Sequence, residues 1–334
     1  MKVLPRNTIL PGDAQAVLSR LLPESVDCVV TSPPYVGLRD YGVPGQLGRE
    51  ARVEEWVASL RTVCRGLARV LKPTGSLWLN VGDTYSRDAR TGAPVKSLLA
   101  APERLLLALI AEGWRVRNKV VWAKPNPLPQ SAADRLSPTY EVVYFLTRSP
   151  RYFFDLDAIR VPHRSGDREG RARTSEATRR YQGGNSGLGG LKAAGRVGHP
   201  NGKNPGDVWT LPTARDRFGH QATFPEVLVE RLVRATCPER ICVQCDTAWR
   251  RPVRVLTVHT TEGSRAVRKV GEPERCDCRA PSRPGVVLDP FFGTGTVGVV
   301  AERLGRDWLG IELNPAYVRL SEERLGRSAR RRAA

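Results

Sequence analysis

Residues 289–298 read DPFFGTGTVG, and the apolar run GVVLD leads into them. Glycines let a backbone approach a ligand closely, and the helical pattern VGVVAERLG that follows points its free N–H groups at the same place. Gly293, Gly295 and Gly298 also satisfy G-x-G-x-x-G, and Glu312 closes the next apolar run, DWLGIEL. That combination raises a dinucleotide-binding unit. Its place in the chain argues otherwise. One strand and one helix, opening after Asn314-Pro315, are all that remain before residue 334. A doubly wound sheet needs more βα units than that. Further strand signals lie upstream instead, so either the fold is incomplete or the sheet begins near the end of the chain and continues from its start, as in a circular permutation.

Strand and helix signals do alternate upstream. NTIL runs into the turn Pro-Gly-Asp at 11–13, and VDCVV at 26–30 is a continuous apolar run. Val53, Trp56, Val57, Leu60, Val63, Cys64, Leu67 and Val70 recur at three and four, the period of an amphipathic helix. SLWLNVGD, VRNKVVWAK and YEVVYFLTR read as strands, with the helix SLLAAPERLLLALIAEG, interrupted near its start by Pro102, between the first two. Strands separated by helices of this length predict an α/β fold: a Rossmann-like mixed sheet with helices on both faces.

The run VDCVV ends in TSPPY at 31–35. Proline cannot continue a ladder and fixes the backbone rigidly. On the pentapeptide alone, a Pro-rich strand exit with Tyr35 packed locally is as good a reading as a functional site.

Charge narrows the choice. Lys and Arg number 53 against 34 acids, a formal net charge of +19, and the pI is about 10.3. Such an excess points to a polyanionic partner, nucleic acid first. Only eight of those basic residues are Lys. Arg offers planar forks for phosphates and guanine edges. No stretch of 18 apolar residues appears, so no membrane span is expected. The N-terminal MKVLPRNTILPGD lacks a long apolar core of a secretory signal, and the expected location is the cytoplasm, at the nucleoid.

TSPPY and DPFFGTGT together resemble the paired motifs of S-adenosylmethionine-dependent DNA methyltransferases that modify exocyclic amino groups. With the catalytic motif preceding the cofactor motif, the order resembles the beta group of that family. The resemblance covers residues 1–160 and 207–325. It implies a seven-stranded, circularly permuted sheet and a reaction on double-stranded DNA. It also implies roles for particular residues. Asp13 in LPGDA would lie near the adenine amino group of the cofactor, although a turn acid after Pro-Gly is the plain alternative. Glu312, with Asn314 beside it, would accept the ribose hydroxyls. Asp289, Pro290, Phe291, Gly293, Gly295 and Thr296 would lie under the methionine end, and Thr31 beside them. In HQATFPEVLVERL (220–232), Phe224 and Pro225 would close over that end.

By the same resemblance Ser32 and the carbonyl of Pro33 would bind the target amino group, with Pro34 stiffening the mount. Tyr35 would stack on the base, which has to be flipped out of the duplex at a cost of about a few kcal/mol. Related adenine enzymes often read DPPY and cytosine enzymes SPPY, so Ser32 points to cytosine N4, with adenine N6 the alternative. Cytosine C5 chemistry needs a thiolate presented after proline, and no Pro-Cys pair exists. The rival from another class is a noncatalytic zinc-containing nucleic-acid-binding protein on a dead methyltransferase fold.

Five of seven cysteines fall between 237 and 278. Cys242-x2-Cys245 and Cys276-x-Cys278 have metal-ligand spacing and predict a structural zinc in a small insert, with Cys237 or His259 as substitute ligands. Free thiols are the alternative. Residues 163–206 are rich in Arg, Gly, Ser and Asn without apolar period. There Arg164, Arg168, Arg171, Arg173, Arg179 and Arg180 are candidates for DNA contacts, as is Arg39 near the catalytic motif. The expected organisation is therefore a catalytic half (1–154), a basic target-recognition region (155–206), a cofactor-closing helix (207–236), a zinc insert (237–284), a cofactor-binding part (285–326) and a basic tail (327–334). A cognate restriction endonuclease is a candidate partner, and the chain is expected to be a monomer or homodimer.

Overall fold

The computed structural model of the chain describes residues 4–127, 129–162, 202–214, 224–260 and 263–333, with backbone alone for 253–260, 263–270 and 329–333. The chain divides into two compact units, one of residues 1–154, 206–248 and 280–334, the other of 155–205 and 249–279.

In the larger unit the strands are β1 (Thr8–Pro11), β2 (Val26–Thr31), β3 (Leu71–Val81), β4 (Arg115–Ala123), β5 (Tyr140–Thr147), β6 (Val208–Thr210), β7 (Ile241–Cys242), β10 (Ser282–Arg283), β11 (Val286–Asp289) and β12 (Asp307–Glu312). Its helices are α1 (Ala14–Arg20), α2 (Val53–Val70), α3 (Ala101–Ala111), α4 (Glu226–Thr236), α5 (Thr296–Arg303) and α6 (Pro315–Ala333). The main sheet runs β1-β12-β11-β2-β3-β5-β4-β6. Strands β1, β12, β11, β2 and β3 are mutually parallel, and β5 is antiparallel to both β3 and β4. The mixed sheet expected from the sequence is present, with the C-terminal strands β11 and β12 between β1 and β2.

The sheet has eight strands where seven are expected. The extra one is β6, three residues reading VWT, which pairs parallel with β4 at the edge. Three residues are too few to carry a period, and this strand follows the Arg- and Gly-rich stretch, so nothing in the sequence marks it.

The helices sit where the periodicity puts them. Along α2, Val53, Trp56, Leu60, Val63, Cys64, Leu67 and Val70 are buried. Pro102 does not interrupt α3; it lies in the first turn, where its missing N–H has no helical partner to lose. The continuous apolar run of β2 is buried on both faces. Val29 joins the core layer with α1, α2 and α3, while Cys28 and Val30 join the layer with α4 and α5. Each fully buried aliphatic side chain contributes about 1.5–3 kcal/mol relative to exposure.

In the smaller unit, β8 (Val253–Thr260) and β9 (Gly263–Val270) form an antiparallel hairpin. Val161 pairs with Lys203 and Arg250 with Glu274. Among the described helices none is long and apolar enough to cross a membrane.

Candidate active site

The two motifs meet because β11 and β2 are neighbours. Val287 pairs with Cys28 and Leu288 with Val29 in parallel register, so both strands deliver their C-terminal loops to one edge. There the Thr31 hydroxyl donates to Asp289 Oδ1 at 2.7 Å, across 258 residues of chain. The Phe291 N–H donates to the same oxygen at 3.0 Å. Burial pushes the Asp289 carboxyl up to about 7, against the pull of those two hydrogen bonds and helped by the charge of Glu312.

Beside this bond opens a cavity of about 860 Å³, counting its mouth. Its floor is the glycine loop. Gly295 has φ 81° and caps α5, and the free N–H groups of that helix face the loop. Glu312 crosses from β12, accepting from the Gly293 N–H at 2.7 Å and from the Asn314 N–H at 2.7 Å. Burial raises its carboxyl as well. Phe292 packs against Trp308 with ring centroids 5.1 Å apart, and a Cβ on Gly310 would come within 2.4 Å of that ring. Gly310 therefore permits the aromatic pair that supports the loop from below.

Of the residues expected to hold a cofactor, Asp13, Phe224, Asp289, Pro290, Phe291, Gly293, Thr296, Glu312 and Asn314 line this cavity, together with Ser32 and Pro34 of the catalytic motif. Thr31, Pro225 and Gly295 do not line it; they act behind the wall, Thr31 through Asp289, Pro225 as the N-cap of α4 and Gly295 as the N-cap of α5. Asp13 caps α1, accepting from the Ala16 N–H at 2.8 Å, as the turn reading expects, and it also lines the cavity. Sequence reasoning missed Tyr41 and Tyr317, whose rings meet edge-on at 6.2 Å in the wall. No local pattern marks them, because the two belong to segments joined only by the fold.

The TSPPY turn is pinned from two sides. The Trp56 indole N–H, on the fully buried face of α2, donates to the carbonyl of Pro34 at 2.9 Å. Among the described residues no donor is bonded to the carbonyl of Pro33. Tyr35 is half-buried, and its hydroxyl donates to Glu141 Oε2 at 2.7 Å. Burial first, and then the charge of Glu141, push its phenol well up. Asn80 donates to Glu141 Oε2 and to the Tyr35 hydroxyl, each at 2.8 Å, and to Ser32 Oγ at 3.3 Å. Lys124 forms an ion pair with the other oxygen of Glu141. The only sequence signal for this group is Glu141 itself, one charge at the start of the apolar strand YEVVYFLT.

Arg39 is partly buried beside Tyr41, its carbonyl accepting from Gln46 Nε2 at 3.2 Å. Arg164, Arg168, Arg171, Arg173, Arg179 and Arg180 lie outside the described residues. Cys242 and Cys245 belong to the larger unit, and Cys276 and Cys278 to the smaller. Cys237 is fully buried in the core of the larger unit, where burial holds its thiol well above the ordinary range. His259 lies in β8, where only the backbone is described.

The sheet is parallel at its centre and carries an acid-rimmed, glycine-floored cavity at its C-terminal edge, where open α/β sheets bind ligands, with the Ser-Pro-Pro-Tyr turn beside it. Comparison with known proteins makes this specific. Residues 26–323 match the N6/N4 methyltransferase family described as DNA methylase. The type II methyltransferase M.XycI of Xanthomonas campestris pv. cyanopsidis is 33% identical over 345 residues, covering 97% of this chain and 89% of its own. The cytosine-N4-specific PvuII DNA methyltransferase shares the fold at TM-score 0.58 and 19% identity, covering 98% of this chain and 93% of its own. A putative DNA modification methylase of Thermus thermophilus, solved with S-adenosyl-L-methionine, superposes at TM-score 0.52 and 24% identity over 96% of this chain and 95% of its own. The chain belongs to the N6/N4 family and is a DNA methyltransferase.

Proposed function

We propose that the protein methylates the N4 amino group of a flipped-out cytosine at a specific site in duplex DNA, with S-adenosyl-L-methionine as methyl donor. The observation that carries this reading is the Thr31–Asp289 bond, which sets Ser32 and the glycine loop on one cavity wall. The cavity suits the cofactor in size and chemistry. Glu312 keeps lone pairs for ribose hydroxyls beyond its two backbone donors, and Phe224 lines the apolar side. In the loop the N–H groups of Phe291, Phe292, Gly293 and Gly295 are bonded within the protein, and that of Thr294 has no partner among the described residues. Bound there, the cofactor supplies an electrophilic methyl on a sulfonium.

The protein's part is to hold the acceptor. An exocyclic amino nitrogen is a poor nucleophile because its lone pair is conjugated with the ring. Ser32 Oγ and the carbonyl of Pro33 accept its two hydrogens and turn the lone pair toward the methyl. The stiff proline pair, with Trp56 holding the carbonyl of the next residue, Pro34, keeps the Pro33 carbonyl in place before the base arrives, so little reorganisation is left for the reaction. Tyr35, tethered at its hydroxyl, offers a fixed ring for stacking.

Serine at the head of the motif favours cytosine over adenine, and the cytosine-N4 specificity stated for the PvuII enzyme, which shares the fold, supports that choice. The type II naming of M.XycI supports a restriction–modification setting with a partner endonuclease. The chain order, catalytic strand first and glycine loop last, fits a circular permutation of the methyltransferase sheet. The spacing of the two cysteine pairs suits a structural zinc, and the basic stretch 163–206 together with Arg39 suits DNA contact.

The test is transfer of tritiated methyl from S-adenosylmethionine to duplex DNA by the purified protein. We expect label in DNA. Binding of the cofactor with no label on any DNA would support the noncatalytic reading instead.

A further inference from the structure

Methylating an amino group creates a proton that must leave. As the nitrogen bonds to the methyl carbon, the carbon–sulfur bond breaks and its electron pair stays on sulfur, so positive charge appears on nitrogen. Family members with DPPY carry a carboxylate at the first motif position. Here Ser32 is neutral and cannot keep a proton. Two other acids near the turn are already engaged: Asp289 accepts from the Thr31 hydroxyl and the Phe291 N–H, and Asp83 is held by backbone. It accepts from the backbone N–H groups of Thr84 and Ala100 at 2.9 Å and of Ala101 at 3.2 Å.

We propose that Glu141 is the terminal acceptor of that proton, reached from the amino nitrogen through the hydroxyls of Ser32 and Tyr35; the inference rests on the amino-methyltransferase reading above. Ser32 Oγ lies 3.3 Å from the Tyr35 hydroxyl, and that hydroxyl donates to Glu141 Oε2 at 2.7 Å. Asn80 fixes the direction of the chain. Its amide nitrogen only donates, and it faces Ser32 Oγ, the Tyr35 hydroxyl and Glu141 Oε2. With Asn80 donating to them, the two hydroxyls are free to send their own hydrogens onward toward Glu141. Lys124 holds the far oxygen of Glu141, and its ammonium lies 4.8 Å from the Trp122 ring centroid.

Close packing keeps the path intact. A Cβ on Gly82 would come within 2.6 Å of the Tyr35 ring and 3.5 Å of the Glu141 side chain, so a larger residue would push phenol and carboxylate apart. The transfer balances: the amino nitrogen gives one proton to Ser32, which passes its own to Tyr35, which passes its own to Glu141. Two hydroxyls end as they began, Glu141 ends neutral, and the methylated amino group ends neutral.

Single-turnover methylation of duplex DNA in H2O and D2O tests this, with Glu141→Gln and Tyr35→Phe assayed beside the wild type at saturating cofactor. The wild type is expected to show a normal solvent isotope effect. Each variant should bind S-adenosylmethionine and DNA as the wild type does, methylate about 100-fold more slowly, within the range for a lost proton-transfer group, and lose the isotope effect. The double variant should be no slower than the slower single one, since both cut one path. A wild type without an isotope effect, variants that keep it, or rates within about twofold of wild type overturn the relay. A role confined to holding Tyr35 in place would lower the rate and leave the isotope effect, which also overturns it. A wild type that transfers no methyl overturns the underlying functional reading itself.

Discussion

At the scale of single residues, Asp289 joins sequence, fold and chemistry. It ends an apolar strand, so it is buried, and burial raises its carboxyl to about 7 from 3.8. In the unfolded chain the group is ionised above about 4. Between those values the folded protein therefore holds a proton that the unfolded chain has lost. That contribution to stability is complete at low pH and is lost as pH rises through about 7. Chemical denaturation of the cofactor-free protein should show a stability component falling across this window, and Asp289→Asn should remove it while keeping the bond from Thr31. An Asp289→Asn variant with the wild-type slope would contradict the assignment. On the proposed reading the cofactor's sulfonium lies beside this carboxylate and favours its charged form, so cofactor binding is expected to release a proton near neutral pH.

At the scale of elements, the regular periods were the legible part. Helix α2 occupies the span its three-and-four spacing marks, and the run VDCVV is a strand buried on both faces, as continuous apolarity demands. Strand β6 was not legible because three residues hold no period. The Glu141–Asn80–Tyr35 group was not legible because it assembles three strands that pair only in the folded sheet: β5 lies against β3, and β3 against β2. The cysteine turn is anchored by chemistry the spacing does not reveal. Asp246, next to Cys245, meets Lys72 and Arg283, and both cations also reach the buried Asp27 at the start of β2. Removing one partner of the buried Lys72–Asp27 pair costs about 3–5 kcal/mol, whereas the pairs to Asp246, whose side chain is half exposed, are screened by solvent and contribute less. For the proposed zinc, elemental analysis of purified protein should give one metal per chain, lost in Cys242→Ser together with thermal stability. Metal content near zero, with Cys242→Ser folding normally, would remove zinc from the account.

At the scale of the whole molecule, two motifs that are ambiguous alone become one site because β11 is inserted beside β2. TSPPY alone could be a strand exit, and the glycine loop alone could bind a dinucleotide. Their order in the chain pointed to a shared edge, and the Thr31–Asp289 bond is where they join. The formal charge of +19 gives the molecule its affinity for a polyanion and says nothing of which base is modified. That choice rests on Ser32. Nucleoside mass spectrometry of DNA from cells expressing the protein decides it most directly. We expect N4-methylcytosine, absent from cells without the protein and lost with Ser32→Ala. N6-methyladenine in its place, or no new methylated nucleoside, would contradict the proposal.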